Sequence, residues 1–498
     1  MATSKMTAVA LACVLAGMET SIAQADGPPR QRERPALEWT ACPHDKGPGD
    51  QQCAELQVPL DHADPDGPKI TVGVSRLRSE RPAERRGALL VLAGGPGGSG
   101  VQRLAQKGAA LRKETRGLYD LVTLDPRGVG RSTRADCGLD AADRTLIKLR
   151  AWPGPGGELD EVVAHGRRTA KACQRNGGAT LRSFTTANQV RDIERLRRAL
   201  GVEKLSAWGN SYGAYVGAVY AQKYPHRTDR WVLDSGQDPD PAKVSRNWVA
   251  NTSRAVDLRF PDFAGWAADP ARETEGLRLA ERPGDVRTLF LELAARLDGE
   301  PRDTATPGVQ LTGNALRQAM HGALYDDAHF AGLARLIQDA ADPEATPVLP
   351  PDLAHAAPDR DVAVMMGVIC NDVRWPGRID AYERAVAADK ARYPLTAGMP
   401  GSLLPCAFWK DAPVERPTRI TDEGPSNILM VQSLRDPTAP HFSGVRLREA
   451  LGSRARLVSV DRGGHGVYLG VGGACSTELV TRFLTTGQRP AADVHCAD

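Results

Sequence analysis

Serine, histidine and aspartate together make an acyl-transfer centre. A hydroxyl is a poor nucleophile until an imidazole takes its proton, and a carboxylate must hold that imidazole in the working tautomer. The chain offers such a set: Ser211 in Gly209-Asn210-Ser211-Tyr212-Gly213, Asp436 in Arg435-Asp436-Pro437, and His465 in Gly463-Gly464-His465-Gly466. A G-x-S-x-G run arises readily in a chain holding 50 glycines, so its weight comes from position. Residues 204–208 read as a short strand. Beyond the serine, Ala214, Gly217, Ala218 and Ala221 recur at helical spacing, a small-residue face that lets a helix press onto a sheet, and Pro225 closes the run. A tight strand-to-helix turn of this kind lifts a serine hydroxyl clear of the sheet, and the crowding on either side demands glycine. The plainer alternative is a structural turn serine. Asp436 and His465 each follow a later apolar run, with room between them for one helix and one strand. His44, His62 and His495 sit in polar turns or near the end, where a solvated role is the simpler account.

The tetrahedral intermediate also needs backbone donors. One is expected from the amide of Tyr212. The other is expected from Gly95, with Gly94 close behind, in the glycine loop at 94–100. The same loop can be drawn as a dinucleotide fingerprint, Gly95-x-Gly97-x-x-Gly100 with Asp125 ending the next strand. That reading leaves Ser211, Asp436 and His465 unexplained.

Short, almost wholly apolar runs at 88–92, 121–124, 205–208, 231–233, 428–431 and 457–460 have the pattern of parallel strands buried on both faces, with amphipathic helices between them. The clearest helix is predicted at 187–200, with Thr186 and Gln189 as a capping box and Gly201 as its stop. Alternation at 55–60 and 69–77 predicts an antiparallel hairpin at the sheet edge. Together these give a doubly wound, mostly parallel α/β sheet, and the order Ser, Asp, His is that of an α/β-hydrolase fold. Residues 238–417 interrupt the alternation with helical patterns at 285–297, 314–324 and 330–340 and no strong strand. This stretch reads as a helical cap between the two parts of the core, 39–237 and 418–498.

The first 25 residues read as a signal peptide: Lys5, an apolar run at 7–17 too short to span a bilayer, and Ala23-Gln24-Ala25 as a cleavage site. Cys13 lacks the leucine spacing of a lipobox, so a lipid anchor is not expected. Residues 26–38 are a polar, flexible lead-in rich in Pro and Arg. Of 9 cysteines, those outside the leader fall into neighbouring couples, Cys42 with Cys53, Cys137 with Cys173, Cys370 with Cys406 and Cys475 with Cys496, which suggests disulfides in an exported chain. There is no C-x-x-C or H-E-x-x-H, so neither a metal nor a cofactor is expected. A net charge of +3 without a long basic run points to no nucleic-acid partner and no anionic membrane.

Gly94-Gly-Pro-Gly-Gly-Ser-Gly100, Asp125-Pro-Arg-Gly-Val-Gly-Arg-Ser132, Gly209-Asn-Ser-Tyr-Gly213, Cys370-Asn-Asp372 and the Asp436 and His465 loops resemble the secreted tripeptidyl aminopeptidases of the proline iminopeptidase type, over nearly the whole mature chain. The resemblance implies a serine exopeptidase acting on peptide substrates at free N-termini, with Ser211 as nucleophile, Asp436 as orienter and His465 as base. Ala93 departs from the His or Pro that relatives commonly carry there. Arg127 and Arg131 are expected to pair with carboxylates that shape their loop. An esterase on the same machinery is the alternative, since the three residues do not separate ester from amide. A substrate α-ammonium group needs a partner, and Asp372, at the end of an apolar helical stretch, is the candidate, with Asp326 and Asp327 in reserve. Its structural alternative is a pair with Arg374 or Arg378.

Overall fold

The computed structural model describes residues 37–43 and 47–497. The expected signal peptide at 1–25 and the lead-in up to residue 36 lie outside the described residues. The strands are β1 (Thr40–Ala41), β2 (Gln52–Pro59), β3 (Lys69–Leu77), β4 (Gly87–Leu92), β5 (Tyr119–Leu124), β6 (Leu205–Asn210), β7 (Thr228–Asp234), β8 (Arg302–Asp303), β9 (Gln310–Leu311), β10 (Ile428–Arg435), β11 (Ala455–Gly463) and β12 (Val494–Cys496). All but β8 and β9 form one ten-stranded sheet in the order β1-β2-β3-β5-β4-β6-β7-β10-β11-β12. From β5 through β12 neighbours run parallel, while the predicted hairpin β2–β3 and its junction with β5 are antiparallel.

The apolar runs lack alternation because both faces of the sheet are covered. Leu89, Val91, Trp208, Val232, Val431 and Val458 fall into one buried cluster. Their neighbours Leu90, Leu92, Ala207, Leu233 and Met430 fall into another on the opposite side. Strands buried this way gain on both faces and need no polar stripe.

Register brings the site together. Leu92 of β4 lies beside Gly209 of β6, Asn210 lies beside Asp234 of β7, and Asp234 lies beside Val431 of β10. The loops that follow therefore leave the sheet at one level and at one edge, the carboxyl ends of the parallel strands. An irregularity in the β10–β11 ladder between Ser433 and Arg435 sits just before Asp436. Such a break re-aims the residues that follow it.

Between β7 and β10 the helices Thr252–Ala268, Pro283–Gly299, Gly313–Ala323 and Phe330–Ala341 share a core of their own, including Phe260, Phe263, Phe290, Leu316 and Ile337. The segment also holds the two-residue strands β8 and β9, too short to leave an alternation in the sequence. The covering layer is not confined to 238–417. Leu146 and Ile147, from the connection between β5 and β6, pack on that core. In return, Val362, Ala363 and Met366 of the helix Asp359–Asp372 belong to the cluster on the sheet. The four expected cysteine couples are the disulfides. Cys137–Cys173 ties the loop after β5 to the helix Asp160–Arg182, and Cys370–Cys406 ties the helix Asp359–Asp372 to the chain returning to β10.

One cap differs from expectation. The helix Thr186–Ala199 is capped by Thr185, whose side chain accepts from the Asn188 amide, so Thr186 and Gln189 do not form the box. Both are taken by tertiary partners: the Thr186 hydroxyl donates to Asp372, and Gln189 Oε1 accepts from the Tyr212 hydroxyl at 3.2 Å.

Arg127 has the pairing role expected of it. Its guanidinium makes a fork with Asp192, at 2.7 and 2.9 Å, and donates to the carbonyls of Pro59 and Leu60, joining the loop after β5 to the end of β2. Asp192 also meets His62 Nε2 at 2.8 Å, and its side chain is fully buried. Arg127→Ala leaves that carboxylate with a histidine alone and should cost roughly 3 kcal/mol or more in urea unfolding, whereas replacing both Arg127 and Asp192 with apolar residues should recover most of the loss. A single substitution costing under about 1 kcal/mol would show that the fork does not hold the loop.

Candidate active site

Ser211 is forced into position by its neighbours. It takes φ +60°, ψ −124° between β6 and the helix Tyr212–Lys223, and its amide donates to the Asp234 carbonyl at 2.9 Å. A side chain at Gly209 would meet the Gly213 carbonyl oxygen at 2.4 Å, and one at Gly213 would meet the Leu92 oxygen at 2.5 Å. Both glycines of the motif are thus required by close backbone approach. A positive φ at serine is costly and persists only where packing over-determines it.

The glycine loop lies against the serine: a Cβ at Gly94 would stand 3.0 Å from Ser211 Cβ. Ser99 caps the helix Gly100–Glu114 and donates through Oγ to Asp125 Oδ1 at 2.6 Å. Asp125 also accepts from the amides of Val101 and Arg131, both at 3.1 Å, so it pins the glycine loop to the loop after β5. Buried and held by these donors, Asp125 is committed to structure, which removes the acid that a ribose-binding reading needs. Tyr212 opens its helix, where an amide has no intrahelical acceptor.

His465 Nδ1 lies 2.7 Å from Asp436 Oδ2, and Asp436 Oδ1 accepts from the amides of Thr438 and Ala439 at 2.9 and 2.8 Å. The Asp436 side chain is fully buried and that of His465 is mostly so. Burial alone would lower the imidazole pKa, but the charge and hydrogen bond of Asp436 outweigh it, and the net displacement is upward.

The histidine loop is held from two sides. Asp234, wholly buried at the end of β7, accepts from the amides of Val467 and Tyr468 at 2.8 and 2.9 Å and from Trp208 Nε1 at 3.3 Å, and Ser235 Oγ bridges it to the Gly466 amide. From the covering layer, the Tyr325 carbonyl accepts from the His465 amide at 2.9 Å. A side chain at Gly464 would collide with that carbonyl at 2.7 Å.

Ser211, His465, Gly94 and Gly95 line one cleft of about 530 Å³. Trp248, Thr252, Tyr325, Met365 and Ile369 close it from the covering layer, and Arg103, Arg150 and Gln237 contribute polar groups.

Residues 87–297 match the family described as alpha/beta hydrolase fold, and residues 394–496 match the family of TAP-like proteins. The chain is 31% identical to a tripeptidyl aminopeptidase of Streptomyces lividans, over 93% of this chain and 87% of that one. The chain belongs to the tripeptidyl aminopeptidase family of α/β-hydrolases. It is also 28% identical to the serine protease Hip1 of Mycobacterium tuberculosis (strain H37Rv), over 92% of this chain and 91% of that one. Against carboxylesterase B of Mycobacterium tuberculosis (strain CDC 1551) the figures are 28%, 90% and 86%. As a family member the protein is a serine hydrolase.

In this hydrolase Asp372 stands apart from the cleft. Its carboxylate accepts from the amide of Thr186 at 2.9 Å and from the Thr186 hydroxyl, and it lines a separate small pocket with Thr185, Tyr215 and Glu415. The cause is geometric: Asp372 ends the helix Asp359–Asp372 against the first turn of the helix Thr186–Ala199, whose free amides attract a carboxylate. Arg378 pairs with Asp380 instead. The reserve acids are occupied as well, Asp326 accepting from the Ala328 amide and Asp327 pairing with Arg259. Sequence reading passed over Asp234, Arg103, Arg150, Gln237 and Tyr325. Only Asp234 carried a signal, an acid ending a buried apolar strand.

Burial pushes the Asp372 pKa up to about 7, against the opposing pull of the Thr186 hydroxyl and amide. A carboxyl raised in the folded state contributes stability below its unfolded pKa, and that contribution is lost as pH rises to the folded value. Asp372→Asn should therefore flatten the fall in unfolding free energy between about pH 4 and pH 7. Denaturant titrations across that range test this, and an unchanged pH slope would refute it.

Proposed function

We propose that this protein is an exported serine aminopeptidase that releases short peptides, tripeptides among them, from free amino termini through an acyl-enzyme. Ser211 Oγ attacks the scissile carbonyl carbon while His465 Nε2 takes its proton, and Asp436 keeps Nδ1 protonated and steadies the imidazolium. The developing oxyanion is received by the amides of Tyr212 and Gly95. Collapse expels the leaving amine with the proton returned from His465. Water, deprotonated by the same imidazole, then frees the acyl group.

The observation that carries this reading is the Asp436–His465 contact at 2.7 Å beside a cleft that His465 shares with a serine held at positive φ. Four disulfides support export, and no helix among the described residues is long and apolar enough to cross a membrane. With Asp372 engaged elsewhere, a substrate ammonium meets a neutral acceptor: Gln237 Oε1 is buried, belongs to a cleft-lining residue and has no hydrogen-bond partner among the described residues.

An esterase is the second reading. It is favoured by the absence of aspartate and glutamate from the described residues that line the cleft. Aminoacyl and tripeptidyl chromogens run against short-chain esters separate the two by kcat/KM.

Ser211→Ala should leave a folded protein with kcat/KM lowered by about 10⁴-fold or more, and fluorophosphonate labelling should vanish with it. Label persisting at another serine would sink the assignment. Because the His465 pKa is raised and only the neutral imidazole accepts a proton, activity should climb with pH through a midpoint above the ordinary imidazole value of about 6.5. Asp436→Asn removes the group that raises it. The midpoint should then fall and the rate drop by about 10⁴-fold, and a midpoint that stays put would separate Asp436 from the base.

A further inference from the structure

Arg103 and Arg150 both line the cleft with Ser211 and His465, and neither makes a side-chain hydrogen bond or ion pair among the described residues. Three arginines elsewhere in the covering layer and at the end of β10 are matched. Arg259 pairs with Asp262 and Asp327, Arg317 with Asp298, and Arg435 with Asp262 and Asp461. The Arg103 guanidinium carbon lies 5.1 Å from the Trp208 ring centroid, and its Nε is buried without a partner. Burial lowers its pKa from the usual value, partly offset by the charge of Asp234, and the guanidinium stays charged at neutral pH. It is close enough for its charge to act on the His465 imidazole.

The cleft is also built for a polar ligand. Gln237, Ser245 and Asn210, 5%, 1% and 8% exposed, line it with buried polar atoms that lack partners: Gln237 Oε1, Ser245 Oγ and Asn210 Nδ2. Buried polar groups are normally satisfied, and these three face a cleft where a ligand or solvent can reach them. The two guanidinium groups and Asn210 Nδ2 are donors and no carboxylate among the described residues lines the cleft, so their complement is an anion, whereas Gln237 Oε1 is an acceptor and calls for a donor. A planar guanidinium meets a carboxylate through parallel hydrogen bonds, and partial burial strengthens the attraction.

We propose that Arg103 and Arg150 read a carboxylate on the substrate, so that the preferred substrates carry an anionic group close to the bond that is cut. This rests on the reading of Ser211 and His465 as nucleophile and base. The carboxylate has two sources in a peptide: the C-terminus of a short leaving fragment, or an acidic side chain.

The test uses the full-length protein and one tripeptide extended by a single residue in three forms: a neutral residue with its C-terminus amidated, the same residue with a free carboxylate, and glutamate with its C-terminus amidated. Each is measured by kcat/KM in the parent, R103Q, R103K and R150Q. The parent should favour at least one acidic form over the neutral amide by about tenfold or more, and the form favoured identifies the source. R103Q should bring that ratio near one, chiefly through KM, with R150Q and R103K intermediate. A merely structural arginine would lower all three substrates alike and leave the ratio standing, which overturns the proposal, as does a parent ratio near one. Fluorophosphonate labelling of Ser211 and a thermal melt certify each variant, and R150Q carries the test if R103Q does not fold. If Ser211 is labelled but no peptide is cut, the peptidase reading fails alone. The same ratio is then read on a dicarboxylic half-ester against its amide, with the same outcomes. Absence of labelling in the parent means that the nucleophile reading itself has failed.

Discussion

Asp234 ends β7 with its carboxylate out of reach of water, and burial raises its pKa against the hydrogen bonds that hold it. A buried carboxylate is tolerable only when its lone pairs are satisfied, and here the donors come from separate parts of the chain: Val467 and Tyr468 after β11, Trp208 in β6 and Ser235 in its own turn. Its backbone carbonyl receives the Ser211 amide. One residue thus sets the strand that delivers the serine and the loop that delivers the histidine. The need to satisfy its charge makes their separation a property of the sheet rather than of flexible loops.

A second constraint is closeness. The turn at Ser211 has backbone so close to Gly209 and Gly213 that no side chain fits at either, and Gly94 lies close against the serine. Strand register supplies the common level from which these loops start, and the β10–β11 ladder shifts register just before Asp436. The covering layer completes the arrangement through a backbone contact, the Tyr325 carbonyl on the His465 amide. It draws on both the β5–β6 and the β7–β10 connections, which disulfides at Cys137–Cys173 and Cys370–Cys406 hold down. Closure of the cleft and placement of His465 are therefore coupled in the same residues.

Where sequence reading failed, it failed for one kind of reason. Thr186 and Gln189 have the spacing of a capping box, yet Thr185 is the cap, because Asp372 and Tyr212 take those side chains from outside the helix. Asp372 is an acid in apolar surroundings, as its sequence context suggests, but its donors come from the first turn of a helix 186 residues away in sequence. Arg103 looks like any other charge on the first turn of an amphipathic helix. What it lacks among the described residues is a hydrogen-bonded carboxylate: Asp234 acts on it through charge alone, its oxygens being taken by Val467, Tyr468, Trp208 and Ser235.

Local pattern by itself determined the hairpin and the six central parallel strands, the turn at Ser211, the order of serine, aspartate and histidine, and the four cysteine couples; the short strands β1, β8, β9 and β12 left no such pattern. Those features depend on spacing along the chain: two-sided burial leaves an unbroken apolar run, a crowded turn demands glycine, and nearby cysteines close short loops. The tertiary structure decided which acids are free, which layer roofs the cleft and what charge the cleft presents. Those depend on pairing between distant groups, and a carboxylate or guanidinium carries no mark in the sequence of the partner that burial will oblige it to find.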